Sequence, residues 1–222
     1  MRNHTKSQIL AALALALFIM PASDLMAQRR RGLVDVSPSS DRHGFWLTLG
    51  AGAGGENYRF SDVPGWGRSS DLYKPDFWLA LGGTVSPSFR LGGEINGWVN
   101  YYTDSSGVGV TESLVGGLLI GQFYPMRNQG LFFKGGAGIS RSGTSTSDYG
   151  GYGGTSTGET GFAYELGAGY EVRLGRTLFL TPTVNYLEHR SSPGGPTGDN
   201  LGTLRERVLT IGVGLTLQPG RR

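Results

Sequence analysis

Phe89-Arg90-Leu91-Gly92-Gly93-Glu94-Ile95-Asn96-Gly97-Trp98-Val99-Asn100-Tyr101 decides the fold. Phe89, Leu91, Gly93, Ile95, Gly97, Val99 and Tyr101 share one parity, and Arg90, Gly92, Glu94, Asn96, Trp98 and Asn100 the other. Successive side chains on a strand point to opposite faces, so a period of two reads as one strand with an apolar face and a polar one. The stretch is longer than the roughly 9–11 tilted residues that cross a bilayer as a β-strand, so it is long enough to span one.

The same period recurs along the chain. Eight alternating runs cover 45–54, 76–85, 89–102, 110–124, 131–141, 162–174, 178–187 and 207–217. In the sixth, Phe162, Tyr164, Leu166, Ala168, Tyr170 and Val172 oppose Ala163, Glu165, Gly167, Gly169, Glu171 and Arg173. The fourth breaks the alternation at Leu118-Leu119-Ile120, and its faces stay unassigned. Long connections are expected at 55–75, 103–109, 142–161 and 188–206, and short ones at 86–88, 125–130 and 175–177. Short turns on the periplasmic side and longer loops outside are the habit of transmembrane barrels. The expected fold is therefore all-β: an eight-stranded antiparallel transmembrane up-and-down β-barrel over 44–217. Both of its ends then lie in the periplasm. Aromatics near the run ends (Phe45, Phe77, Phe89, Tyr101, Phe123, Phe133, Phe162, Phe179 and Tyr186) suit girdles at the two interfaces.

Composition agrees. The chain has 222 residues, 39 of them Gly, with 17% charged and 38% hydrophobic residues. That is too few charges for a charge-rich disordered chain and too few apolar residues for a polytopic helical one. Eight strands leave an interior only just wide enough for side chains. Gly50, Gly52, Gly136, Gly138, Gly167, Gly169, Gly212 and Gly214 fall on the non-lipid face, where they would leave room for long polar residues. The absence of Cys excludes a disulfide framework, a thiolate metal site and a cysteine nucleophile. At the N-terminus, Arg2 and Lys6 precede the apolar run Ile9 to Met20 and the small residues Ala22 and Ser23. This is the order of a secretory signal peptide, too short to span a bilayer as a helix. It is expected over 1–27, followed by a periplasmic arm over 28–43 and, after the barrel, a tail over 218–222.

Gly167-Ala168-Gly169-Tyr170-Glu171-Val172-Arg173-Leu174, followed by Leu180-Thr181-Pro182-Thr183-Val184-Asn185-Tyr186, resembles the later strands of the bacterial outer membrane protein beta-barrel domain family. That family includes small eight-stranded barrels similar to OmpX and to the membrane domain of OmpA. The resemblance implies a Gram-negative outer-membrane location. Outer-membrane lipid, lipopolysaccharide and the barrel-assembly machinery are then the expected partners, with an extracellular ligand at the loops.

The candidate site residues are charges on the inward face: Arg90, Glu94, Lys134, Glu165, Glu171 and Arg173. Charges buried in a narrow lumen must pair, so a balanced set predicts a cross-linked polar plug. The expected function is non-enzymatic, structural or surface-interacting, with a narrow channel for small solutes as the alternative. A further alternative is a lipid A deacylase-like hydrolase built on His189, Ser191 and Glu206, where His would deprotonate Ser and the acid would orient His. No cofactor or metal is expected. Gly50, Gly52 and Gly55 match G-x-G-x-x-G, but inside a strand with no helix following, so they carry no nucleotide. The net charge of +3 gathers largely in Arg29-Arg30-Arg31 and Arg221-Arg222 rather than in a basic patch interleaved with aromatics. No nucleic-acid partner is expected.

Overall fold

The computed structural model describes residues 42–62, 64–68, 74–147, 154–191 and 202–218. The signal segment, most of the arm, and the tail beyond Gln218 lie outside the described residues. Among the described residues ten strands follow in order: β1 (Phe45–Phe60), β2 (Gly67–Arg68), β3 (Lys74–Ser86), β4 (Phe89–Thr103), β5 (Gly109–Phe123), β6 (Leu131–Ser147), β7 (Ser156–Tyr170), β8 (Val172–Arg173), β9 (Leu178–Ser191) and β10 (Leu204–Leu217). All pairings are antiparallel between neighbours, and β10 pairs with both β9 and β1, which closes the ring. β2 is a short addition to β1, and β8 continues β7 past Glu171 in the same register on β9. The wall is thus eight strands, and closure leaves it no open edge.

Alternation sorts the residues as the period predicts. Leu49, Ile95, Leu119, Ile139 and Leu166 are each about 60% exposed or more and form part of a continuous apolar outer band. Arg90, Glu94, Lys134 and Glu165 are buried inside. The aromatic girdles face outward at both rims, with one correction. Phe179 is 2% exposed and points into the barrel, because its parity on β9 is that of Thr181 and Thr183. The undecided strand β5 resolves in the opposite sense to a polar lumen. Leu114, Leu118 and Ile120 point inward and join Trp46, Trp98, Ala163, Leu187 and Val208 in an internal apolar cluster. Both faces of β5 are apolar, so hydrophobic pattern alone had no way to orient it.

The strands run further outward than the apolar pattern. β6 continues to Ser147 and β7 starts at Ser156, paired rung for rung through a Ser/Thr/Gly sequence. β1, β9 and β10 likewise reach into the expected loops. Beyond the bilayer both faces meet water, so alternation is lost while the hydrogen-bond ladder persists. One expected long loop is a tight turn. Asp104 accepts hydrogen bonds from the Ser106 and Val108 amides, and Gly107 takes a φ of 82°.

The inward glycines have a more specific cause than room for polar chains. A Cβ at Gly50 would overlap the Trp78 ring, and one at Gly212 would lie 2.6 Å from it. Gly169 does the same for Phe132. Only Gly167, beneath Asn185 and Lys134, makes space for a polar cluster among these four. Replacing Gly50 or Gly212 by Ala should cost about 1–3 kcal/mol by overpacking. Gly117→Ala, whose Cβ would meet nothing within 4 Å, should stay within about 0.5 kcal/mol of wild type. Urea midpoints of refolded protein, followed by heat-modifiable gel migration, will test the contrast.

Candidate functional site

The lumen carries the charged groups, and they sort into three layers. At the periplasmic base, Arg90 from β4 and Glu171 from the β7–β8 junction meet at 2.5 Å, both buried. Arg90 also donates to the Tyr124 hydroxyl at 2.6 Å and to the Gln218 side-chain oxygen. Arg42, from the chain just ahead of β1, reaches across the same opening. Its Nε lies 3.4 Å from Glu171 Oε2, and its other nitrogens donate to the Arg127 and Gln129 carbonyls at 3.2 and 2.5 Å. The guanidinium stacks 3.8 Å from the centre of the Tyr124 ring. The Tyr124 hydroxyl donates a hydrogen bond to Glu171 Oε1 at 3.0 Å. Below this layer Gln218 continues β10, bonding by its amide to the Thr177 carbonyl and by its side chain to the His43 carbonyl.

In the middle, Lys134 is the hub. Its Nζ donates to both Glu94 oxygens at 2.9 Å and lies 2.7 Å from Glu165 Oε1. Asp76 lines the same space, with Trp78, Asn96, Asn185 and Thr210. They enclose a cavity of about 10 Å³, the size of one water site. Glu165 Oε2, Asn96 Oδ1 and Asn185 Oδ1 lack a protein partner there.

At the outer mouth, His189 from β9 is fully buried, and its Nδ1 is 2.5 Å from Ser140 Oγ of β6. His189 Nε2 stands 3.8 Å from Glu206 Oε2, whose other oxygen accepts from Ser142 at 2.7 Å. Ser191 donates instead to Glu159 at 2.8 Å. The His189–Ser191 pairing expected from sequence is therefore not made. Both residues share the inner face, but each has its own partner from β6 or β7. Among the described residues no metal-holding group of three His, Asp or Glu is present.

Of the six candidate charges, the structure joins Lys134 to Glu94 and Glu165, and Arg90 to Glu171. Arg173 stands apart, its guanidinium 5.6 Å from the Phe179 ring. The cation that completes the base layer is Arg42, which sequence reasoning had left in the polar arm. Nothing in that arm's pattern marks it, because it acts from outside any strand. Asp76 was equally missed, though its parity on β3 places it inside with Trp78 and Ala80.

Removing Lys134 leaves two buried carboxylates uncompensated. Lys134→Ala should cost about 3–5 kcal/mol. Replacing Lys134, Glu94 and Glu165 together by Met, Leu and Leu should restore most of that loss, since an apolar set needs no pairing. Urea midpoints of the two variants in lipid vesicles will decide, and equal losses would contradict the buried hub.

The family described as outer membrane protein beta-barrel domain matches residues 10–216. No curated protein matches the chain. Among solved structures, Ail, the attachment invasion locus protein of Yersinia pestis, superposes with a TM-score of 0.51 at 13% identity. That likeness covers 78% of this chain and 99% of that one. Neisserial surface protein A (NspA) gives 0.50 at 15% identity, over 79% and 97%. The outer membrane enzyme PagL is matched over 78% and 99% at 12% identity, with a TM-score of 0.36. Identities this low show shared fold and carry nothing about activity.

Proposed function

Because the chain belongs to the outer membrane protein beta-barrel domain family and is thereby a protein of the bacterial outer membrane, we propose that it is a non-enzymatic barrel, structural or surface-interacting, whose lumen is closed by a salt-bridged plug. The observation that carries this reading is the periplasmic seal. Arg42 and Arg90 clamp the single carboxylate of Glu171, with Tyr124 stacked against one guanidinium and bonded to the other. Ions crossing the lumen would have to break buried charge-assisted hydrogen bonds, worth about 1.5–3 kcal/mol each. The Lys134 hub and the internal apolar cluster stand above the seal as further barriers. A hydrolase built on His189, Ser191 and Glu206 lacks support: Ser191 is engaged by Glu159, and His189 is fully buried.

Single-channel recording in planar bilayers tests the plug. Refolded wild type should show no discrete conductance steps. The Arg42→Ala/Arg90→Ala pair, refolded to the same heat-modifiable form, should show frequent openings. Regular steps from wild type would overturn the reading in favour of a narrow channel. Release of acyl chains from lipid A by wild type, abolished in Ser191→Ala, would overturn its non-enzymatic part.

A further inference from the structure

The outer wall carries a second cluster that the lumen does not use. Arg59 on β1 pairs in register with Arg205 on β10, and Arg205 pairs with Arg190 on β9. All three face outward and are exposed. One rung nearer the membrane, Arg207 pairs with Glu188, and Glu188 with Tyr164. Glu188 is buried beneath its neighbours. It accepts from Tyr164 and Tyr186 at 2.7 Å, from Arg190 at 2.6 Å and from Arg207 at 3.0 Å. Arg207 also lies over the Trp66 ring at 4.0 Å.

Two features ask for an anion. Like charges directly opposite on adjacent strands repel, yet Arg59, Arg205 and Arg190 form an unbroken row. Among the described residues, Arg59 and Arg205 have no ion-pair partner. Among the described residues Glu188 is the only acid on these rungs of the outer face, so four guanidinium groups face one carboxylate. Meanwhile Glu188 fixes Arg190 and Arg207 in place, which preorganises their planar donors. Guanidinium groups held this way suit bidentate recognition of phosphate.

Position selects the class of anion. On β10 the outward residues Leu217, Leu215, Val213, Ile211 and Leu209 are apolar, and Arg207 and Arg205 follow at once. On β9, Leu180, Pro182, Val184 and Tyr186 lead to Glu188 and Arg190. The row begins where the lipid-facing band ends, on the side of the long loops. A ligand seated there has its anionic groups on the arginines and its apolar part on the wall beneath. We propose that Arg59, Arg190, Arg205 and Arg207 form a site for the phosphate groups of a phosphorylated glycolipid of the outer leaflet.

The experiment uses the mature protein in phosphatidylcholine nanodiscs doped with lipid A, either bis-phosphorylated or dephosphorylated. Retained glycolipid is counted by native mass spectrometry. Wild type should retain the phosphorylated form about tenfold better, and Arg59→Gln/Arg205→Gln should lose about that factor. Heat-modifiable migration should be unchanged. Arg205→Lys keeps the charge without the planar fork and should fall between them, so the proposal stays testable where the double variant folds poorly. Equal retention of the two lipids, or by wild type and double variant, would overturn the site. Full displacement by inorganic pyrophosphate would move the ligand from lipid to soluble phosphate and overturn the lipid assignment. A conducting wild-type lumen would sink the plug and leave this site standing.

Discussion

Closing eight strands leaves a lumen with space for little more than one layer of side chains, and most of this protein's inward residues follow from that limit. A large side chain needs a glycine beside it, as Trp78 has in Gly50 and Gly212 and Phe132 has in Gly169. A charged one needs an opposite charge within reach, because the lumen offers no bulk water to replace it. Lys134 meets that need from two sides, through Glu94 and Glu165. The glycine content and the charge pairing are thus two responses to one geometric limit, and neither requires a ligand to explain it.

How far this was legible depended on whether a residue obeyed the parity of its strand. The fold followed from period two, and so did the inward placement of Arg90, Glu94, Lys134 and Glu165. Three kinds of residue escaped. β5 is apolar on both faces, so parity gave it no orientation. The outer halves of β6 and β7 are polar on both faces, so their Ser/Thr/Gly rungs resembled a loop. Arg42 lies before the first strand, where there is no periodicity to read, and yet it holds the base of the barrel. His189 and Ser191 show a subtler failure. Spacing put them on one face correctly, but their partners came from β6 and β7, which spacing along β9 does not report.

The base layer shows why the segments flanking a barrel matter to it. Glu171 alone would be a buried carboxylate at the break between β7 and β8. Two arginines from distant parts of the chain satisfy it, and one of these arrives only when the segment ahead of β1 folds under the opening. Gln218 adds a contact from the other end of the ring. The seal therefore ties the first strand, the last strand and the β7–β8 junction into one unit.

The same parity separates the signs of charge across the wall. In Arg205-Glu206-Arg207 the two arginines face out and the glutamate faces in. Glu159 and Glu206 likewise sit inside the mouth, while Arg59 and Arg190 sit outside it. The outer end of this barrel is thus acidic within and basic without, over the β9, β10 and β1 sector. Random placement would let the two sets neutralise each other, and a wall one residue thick keeps them apart. Glu188 is the exception that defines the basic side. It faces outward, yet it is covered by two tyrosines and two arginines, so it orders the arginines instead of presenting its own charge. A carboxylate spent on holding cations in a fixed array is the arrangement expected of a surface built to receive an anion.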